Sequence, residues 1–417
     1  MTSKECFVYI TLPDAIAPVT AGRYVLDTDR VGNLLGRFVY GRSYLGNPNA
    51  VPLDPNELKL TDTTYQTVLL GGLFGAMRDA GPDHWGRRVI DKHAGRAVRS
   101  ELDYLLESPD DRAGALSFGL NQTPPAPLRQ FNKTLNLAKL QATADALINE
   151  EADANDPIAA QIQDLLLIGT AMGGARPKAV SEDSDGLWLA KFNRSDDTWN
   201  NARVEHAMLG LGRLCGLDVA DSKLVSVAGK DVLLVKRFDR EKVIDGYTRA
   251  RMISALTLLR ASESYQERDR WSYIILAEEL RRVVSDPKRD ALELFKRMVF
   301  NALISNIDDH PRNHALIAKS TDWKLSPAYD LTPSQIIAKD RRDLALDCGD
   351  FGRYANAKNL HSQNARFLLK ADEAQAVIDT MTGVVETQWY NVCRASGVTE
   401  ADTAKIAGAF VYDGFNY

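Results

Sequence analysis

The sequence predicts an α+β fold, with a β-rich N-terminal part and a mostly helical C-terminal half. Three observations predict it. Short β-like runs, Phe7-Val8-Tyr9-Ile10 and Phe38-Val39-Tyr40 among them, are separated by Gly/Pro/Asn clusters up to about residue 120. Residues 165–240 read as strand, helix and hairpin in that order. Beyond residue 250, apolar positions recur at helical spacing. At 417 residues the chain is too long for one small core, so two or three domains or lobes are expected.

The elements follow in order. Asn121-Gln122-Thr123-Pro124-Pro125-Ala126-Pro127 is a stiff extended connector and marks a boundary. The divisions drawn are 1–125, 126–240 and 241–417. Helical stretches are expected over 137–151 and 158–167. Leu187-Trp188-Leu189-Ala190-Lys191-Phe192 is a strand with Trp188, Ala190 and Phe192 on one face. Val204, Ala207, Met208, Leu211 and Leu214 form the apolar stripe of a helix. The runs 223–227 and 232–235 flank Ala228-Gly229-Lys230-Asp231 and read as a hairpin. Leu292, Phe295, Val299, Ala302 and Leu303 line a helix that runs directly into Asp308. Val377, Ile378, Met381, Val384, Val385 and Val392 line another near the end of the chain.

Composition narrows the function classes. The 45% hydrophobic and 26% charged content is that of an ordinary soluble globular protein. No apolar run approaches the ~20 residues that span a bilayer, and the N-terminus lacks a basic segment followed by a long apolar one. A cytoplasmic protein without a membrane partner is expected. Cys6, Cys215, Cys348 and Cys393 are far apart and form no CxxC, which argues against zinc and against a disulfide framework. A net charge of −5 does not suggest autonomous nucleic-acid binding. Arg281-Arg282 and Lys339-Asp340-Arg341-Arg342 read as solvated faces.

The chemistry concentrates in Asn306-Ile307-Asp308-Asp309-His310-Pro311-Arg312-Asn313. An Asp followed five positions later by an Asn is the spacing of a kinase catalytic loop. Asp308 would orient and deprotonate a substrate hydroxyl, and Asn313 would hold Mg²⁺. Asp330, in Ser326-Pro327-Ala328-Tyr329-Asp330, would complete the metal site. Two carboxylates and an amide oxygen are hard ligands, suited to Mg²⁺ and poor for zinc. His310 reads as a hydrogen-bonding member of the loop.

Three further segments fit the same chemistry. In Ala171-Met172-Gly173-Gly174-Ala175-Arg176-Pro177-Lys178, adjacent glycines let backbone N–H groups approach a phosphate, and Lys178 adds a point charge. A tight turn between a helix and a strand explains the same residues. Lys191 is either a lysine snorkelling from a strand end or one that reaches phosphates and pairs with a helix glutamate. Glu205 is the candidate partner, a solvent-exposed Glu the alternative. The polar stretch 193–201 between them suits a mobile loop. In Val235-Lys236-Arg237-Phe238-Asp239-Arg240, backbone groups of Lys236 and Phe238 would meet an adenine edge and Asp239 the ribose hydroxyls. A charged strand terminus is the alternative.

In this order, the elements resemble the HipA family of bacterial serine/threonine kinases, the toxins of HipA/HipB-type toxin–antitoxin modules. Asp83-His84-Trp85-Gly86-Arg87-Arg88 and Asp110-Asp111-Arg112-Ala113-Gly114-Ala115-Leu116 look like its N-terminal subdomain. Gly174-Ala175-Arg176-Pro177-Lys178 matches its phosphate loop and Val235 to Arg240 its hinge. Ile307 to Asn313, with Pro327-Ala328-Tyr329-Asp330, matches its catalytic and metal segments.

The resemblance implies a two-lobed protein-kinase-like fold with ATP between the lobes. Gly173, Gly174, Ala175, Arg176, Pro177 and Lys178 would cover the phosphates, with Lys191 pairing to them. Lys236, Arg237, Phe238 and Asp239 would hold the nucleoside. Asp308 would be the catalytic base, with Asn313 and Asp330 on Mg²⁺ and His310 and Tyr329 beside the nucleotide. Family members phosphorylate proteins on serine, aminoacyl-tRNA synthetases among them, and slow growth. They bind a small helix-turn-helix antitoxin, HipB, and reach DNA only through that complex. Two positions depart from the pattern. Relatives carry an inhibitory autophosphorylation serine at the position of Ala171, so either Thr170 substitutes or this regulation is missing. The hinge position that is Glu in a relative is Lys236 here. The expected function is a Mg-ATP-dependent serine/threonine kinase toxin. The alternatives are a small-molecule kinase and an antitoxin-bound co-repressor with weak activity.

Overall fold

The computed structural model describes residues 4–93, 100–127, 137, 140–141, 176–334 and 338–416. The chain folds as two compact units. The first comprises Met1–Ser195, Leu234–Ile253 and Ile317–Trp323; the second comprises Asp196–Leu233, Ser254–Leu316 and Lys324–Tyr417. Neither set of bounds coincides with the divisions at 125 and 240 drawn from the sequence. The physical reason lies in the first unit, where residues 110–114 and 237–240 share one buried ion cluster.

The first unit opens with five strands: β1 (Glu5–Thr11), β2 (Pro18–Thr28), β3 (Leu34–Tyr40), β4 (Tyr65–Thr67) and β5 (Leu116–Gly119). They form one sheet in the order β4-β3-β2-β1-β5. Val8, Tyr9 and Ile10 of β1, which lies between β2 and β5, are buried, as the apolar run predicts. Gly36 has to be glycine: a Cβ there would stand 1.7 Å from the Gly72 carbonyl oxygen. β6 (Lys178–Asp183) and β7 (Gly186–Phe192) pair antiparallel across a two-residue turn.

β8 (Ser222–Val227) and β9 (Lys230–Lys236) form the expected hairpin. Its turn is shorter than the four residues expected. Ala228 and Gly229 both take positive φ, 51° and 78°, which a tight two-residue turn requires. β9 begins in the second unit and ends in the first. β10 (Arg240–Val243) and β11 (Gly246–Arg249) follow as a second hairpin.

The second unit is built on helices. The Asn201–Leu214 helix is capped by Asn200, whose side chain accepts from the Arg203 N–H. It packs on the long Ala371–Ala395 helix, which also meets Pro287–Leu303. Val204, Ala207, Met208 and Leu211 are buried as expected, but Leu214 is exposed. The helix stops at the next residue, with Gly216 at φ 77°. Glu205, one position off the stripe, is buried. Among the described residues, no helix is long and apolar enough to cross a membrane.

Candidate active site

The Pro287–Leu303 helix positions the 306–313 loop. Asp286 caps its start by accepting from the Arg289 N–H, and Pro287 takes the first turn, where a missing N–H costs nothing. Leu294, Phe295, Met298, Val299, Phe300, Ala302 and Leu303 are all fully buried, so the last turns cannot shift without opening the core. Ser305 then adopts a left-handed conformation, φ 53°, and the Asn306 N–H closes back on the Asn301 carbonyl at 2.8 Å. This stop satisfies the helix-end carbonyls and turns the chain into the 307–314 loop.

The two adjacent aspartates have opposite environments. Asp308 is exposed, whereas Asp309 is 1% exposed. Asp309 accepts from the Tyr273 hydroxyl and stands 2.9 Å from His314 Nε2. Asn301 Nδ2 donates to the same Tyr273 oxygen at 3.1 Å, and Asn306 Nδ2 donates to Asn301 Oδ1 at 3.0 Å. Burial, then the charge and hydrogen bond of Asp309, push the Tyr273 hydroxyl well above its ordinary pKa, so it remains a donor. Asp309 is therefore the loop's buried anchor, and Asp308 is the carboxylate presented to solvent.

The rest of the loop is tied to Asp308. The His310 N–H donates to the Asp308 carbonyl at 2.8 Å, and Asn313 Nδ2 donates to it at 3.3 Å. That bond occupies the amide nitrogen of Asn313 and leaves Oδ1 outside it. His310 Nδ1 is buried without a partner among the described residues, an atom that a ligand or water would satisfy. Asp330 sits at φ 59°, a conformation rare for non-glycine residues and enriched at functional sites. Its carbonyl accepts from Asn306 Nδ2 at 3.4 Å, and Tyr329 donates its hydroxyl to the Arg312 carbonyl at 2.8 Å. Within the second unit, Asn313 is thus bonded to Asp308, while Tyr329 and Asp330 are each bonded to another residue of the 306–313 segment.

The remaining candidates lie in the first unit or outside the described residues. Gly173, Gly174 and Ala175 fall outside them, as do Thr170 and Ala171. Lys178 and Lys191 are direct register partners on β6 and β7, so their side chains share one face of the sheet. Lys178 is 1% exposed, and its Nζ is 2.5 Å from Asp83 Oδ2. Asp83 Oδ1 also accepts from the Gly86 N–H and so fixes the start of the His84–His93 helix. Lys178 therefore holds a buried ion pair where the sequence had suggested a phosphate contact. Lys191 is half-buried. Arg176 is half-buried, and the Pro177 carbonyl is taken by the Phe192 N–H at 3.1 Å.

The Lys236 to Asp239 segment divides in the same way. Lys236 Nζ lies over the Trp188 ring, 5.9 Å from its centre, and Phe238 is half-buried. Arg237 and Asp239 point inward. Arg237 donates to Asp111 Oδ1 at 2.6 Å, to the Arg112 carbonyl at 2.8 Å and to both Asp239 oxygens. Asp239 also takes Arg240 Nη1 at 2.8 Å and the Gly114 N–H at 2.9 Å. Burial alone would raise the Asp239 pKa, but Arg237 and Arg240 outweigh it and hold the carboxyl well below the usual range. Asp239 thus has four donors on its oxygens, three of them on Oδ2. Asp83, Asp111 and Arg112, which carried no individual role in the sequence, are the partners that fix Lys178 and the 237–240 segment.

Comparison with known proteins gives the family and the fold. The HipA-like C-terminal domain matches residues 170–389. A Sinorhizobium fredii (strain NBRC 101917 / NGR234) protein named "Putative kinase Y4mE" is 30% identical over 324 residues, 73% of each chain. The chain belongs to the HipA-like family. A second S. fredii protein of the same kind of name, Y4dM, is 28% identical over 221 residues, covering 49% of this HipA-like chain and 51% of its own. Among solved structures, the Shewanella oneidensis MR-1 toxin–antitoxin complex of HipA, HipB and operator DNA contains a chain of the same fold. The TM-score is 0.68 at 16% identity, covering 97% of this chain and 94% of that one. The α+β, kinase-like fold class expected from the sequence is the one found.

Proposed function

We propose that this HipA-like chain is a Mg-ATP-dependent serine/threonine protein kinase. It would act in the cytoplasm as the growth-inhibiting toxin of a type II toxin–antitoxin system. A translation-related protein such as an aminoacyl-tRNA synthetase is the proposed substrate, and a HipB-like helix-turn-helix protein the partner through which it would reach DNA. The observation that carries the reading is the pair of aspartates. Asp309 is locked beneath the loop, while Asp308 is exposed on it five residues before Asn313.

Asp308 takes the proton of the acceptor hydroxyl as that oxygen attacks. ATP would supply the phosphoryl group, and Mg²⁺, when bound, would supply charge neutralisation at its phosphates. Asn313 Oδ1 and the Asp330 carboxylate are the residues that would hold Mg²⁺. Among the described residues no three His, Cys, Asp or Glu side chains converge. Magnesium, however, is ordinarily held by one or two carboxylates, with substrate phosphates and water completing the shell. An Asn oxygen and an Asp carboxylate fit that donor set. Lys191 is the lysine assigned to the phosphates, since Lys178 is paired with Asp83. Lys236 and Phe238 are assigned to the adenine edge. The names of the S. fredii relatives and the HipB of the S. oneidensis complex support the kinase and the partner respectively.

The test is incubation of the full chain with γ-labelled ATP, Mg²⁺ and total soluble bacterial protein. The expected result is acid-stable label on serine or threonine of discrete protein bands, dependent on Mg²⁺. Label confined to small molecules would replace this reading with a small-molecule kinase.

A further inference from the structure

The segment between Leu259 and Ser272 touches the catalytic loop at two points. Tyr265 donates its hydroxyl to Asp308 Oδ1 at 2.9 Å, and Glu263 pairs with Arg312. The base of the segment is fixed. Arg270 Nε donates to the Leu259 carbonyl at 2.7 Å and buried Trp271 donates Nε1 to the Ser262 carbonyl at 2.9 Å. The Asp347 N–H in turn donates to the Trp271 carbonyl at 2.9 Å. The Tyr265 ring stands edge-on to Trp271, centroids 4.9 Å apart, with the Arg268 guanidinium 5.4 Å from its centre. The ring is thus gripped although 51% of the residue is exposed.

The direction of the hydrogen bond is fixed by chemistry. Desolvation, then the hydrogen bond and charge of Asp308, push the Tyr265 hydroxyl up to about 12, so at neutral pH it is the donor. Asp308 Oδ2 has no protein partner among the described residues. An exposed carboxylate with neither oxygen held samples several side-chain rotamers. One bond to Oδ1 selects among them and leaves Oδ2 for another group.

We propose that Tyr265 is a positioning residue for phosphoryl transfer, holding Asp308 by Oδ1 so that Oδ2 is left to take the proton of the acceptor hydroxyl. The inference rests on the kinase reading above. In the step it serves, the acceptor O–H bond breaks toward Oδ2, the acceptor oxygen bonds the γ-phosphorus, and ADP leaves with the electrons of the broken β–γ bridge bond. Nothing in the order of residues announces this role, because Tyr265 lies 43 positions before Asp308.

Full-length wild type, Tyr265→Phe and Asp308→Asn are compared with γ-labelled ATP, Mg²⁺ and total soluble bacterial protein as acceptor. The KM for ATP and the thermal midpoint are measured alongside. Phe keeps the ring on Trp271 and removes only the hydroxyl. The expected result is a fall in kcat of about tenfold, the worth of one hydrogen bond to a charged group, with the KM for ATP within twofold and the midpoint unchanged. Transfer within twofold of wild type overturns the role. So does a loss of rate matched by an equal rise in the KM for ATP, or one accompanied by a lowered midpoint. Full transfer by Asp308→Asn, or none by wild type, overturns the kinase reading and this inference with it.

Discussion

Replacing Asp239 by Asn separates a carboxylate that holds the fold from one that holds a ligand. The side chain takes Arg237 Nε at 3.0 Å, Arg237 Nη2 at 2.9 Å, Arg240 Nη1 at 2.8 Å and the Gly114 N–H at 2.9 Å. An amide of the same size has one acceptor oxygen with two lone pairs, so about two of these four bonds are lost or weakened. Hydrogen bonds to charged groups contribute about 1.5–3 kcal/mol each, so losing two costs about 3–6 kcal/mol. Relief of the carboxylate's own desolvation offsets part, which matches the ~3–5 kcal/mol found when one member of a buried pair is removed. At about 2–4 °C per kcal/mol, the first unit should melt about 6–20 °C lower.

The pH dependence has a definite sign. The folded pKa of Asp239 is depressed, so its stabilisation is complete above the unfolded value of ~3.9. It is lost as pH falls toward the folded value. Wild type should therefore lose this contribution progressively below about pH 4, and Asp239→Asn should lack this part of the acid limb. Scanning calorimetry between neutral pH and pH 3 reads both effects. A variant that melts like wild type with the same acid limb would refute the reasoning. Weakened ATP binding at an unchanged midpoint would return Asp239 to the ribose.

Two other perturbations bear on the remaining site residues. Lys178→Met and Asp83→Asn should each lower the melting temperature of the full chain, and the double variant should be no worse than the worse single one, because both remove one buried pair; additive losses would show the two act separately. Asn313→Ala should raise the Mg²⁺ concentration for half-maximal transfer by about tenfold or more, read from an Mg²⁺ titration, while ATP affinity without metal stays unchanged; an unaltered titration would remove Asn313 from the metal site.

Much of the scaffold was legible because its signals are local. The apolar run of β7, the stripe of the Asn201–Leu214 helix and the hairpin of β8 and β9 each follow from spacing within a few residues. The Asp308 loop was legible for the same reason, since Asp308 and Asn313 are five positions apart on a segment a buried helix delivers. Pairing of charges was not legible. Lys178 finds Asp83 across 95 positions, and Arg237 finds Asp111 across 126. A lysine after two glycines looks the same in sequence whether it meets a phosphate or a buried carboxylate. Lys178 opens a strand whose next residues, Ala179 and Val180, are wholly buried, which is the local hint that it does not face solvent. The neighbouring aspartates 308 and 309 are likewise identical as letters. Only the positions of Tyr273 and His314 decide which is buried and which is exposed.

That distinction gives the most direct measurement of the central claim. Asp308→Asn and Asp309→Asn are compared for phosphoryl transfer to protein and for thermal midpoint, with ATP binding measured in both. The account predicts that Asp308→Asn abolishes transfer while its midpoint and ATP affinity stay at wild-type values. Asp309→Asn should lower the midpoint, because it removes charge from a buried hydrogen-bonded network. Undiminished transfer by a folded Asp308→Asn would contradict the account.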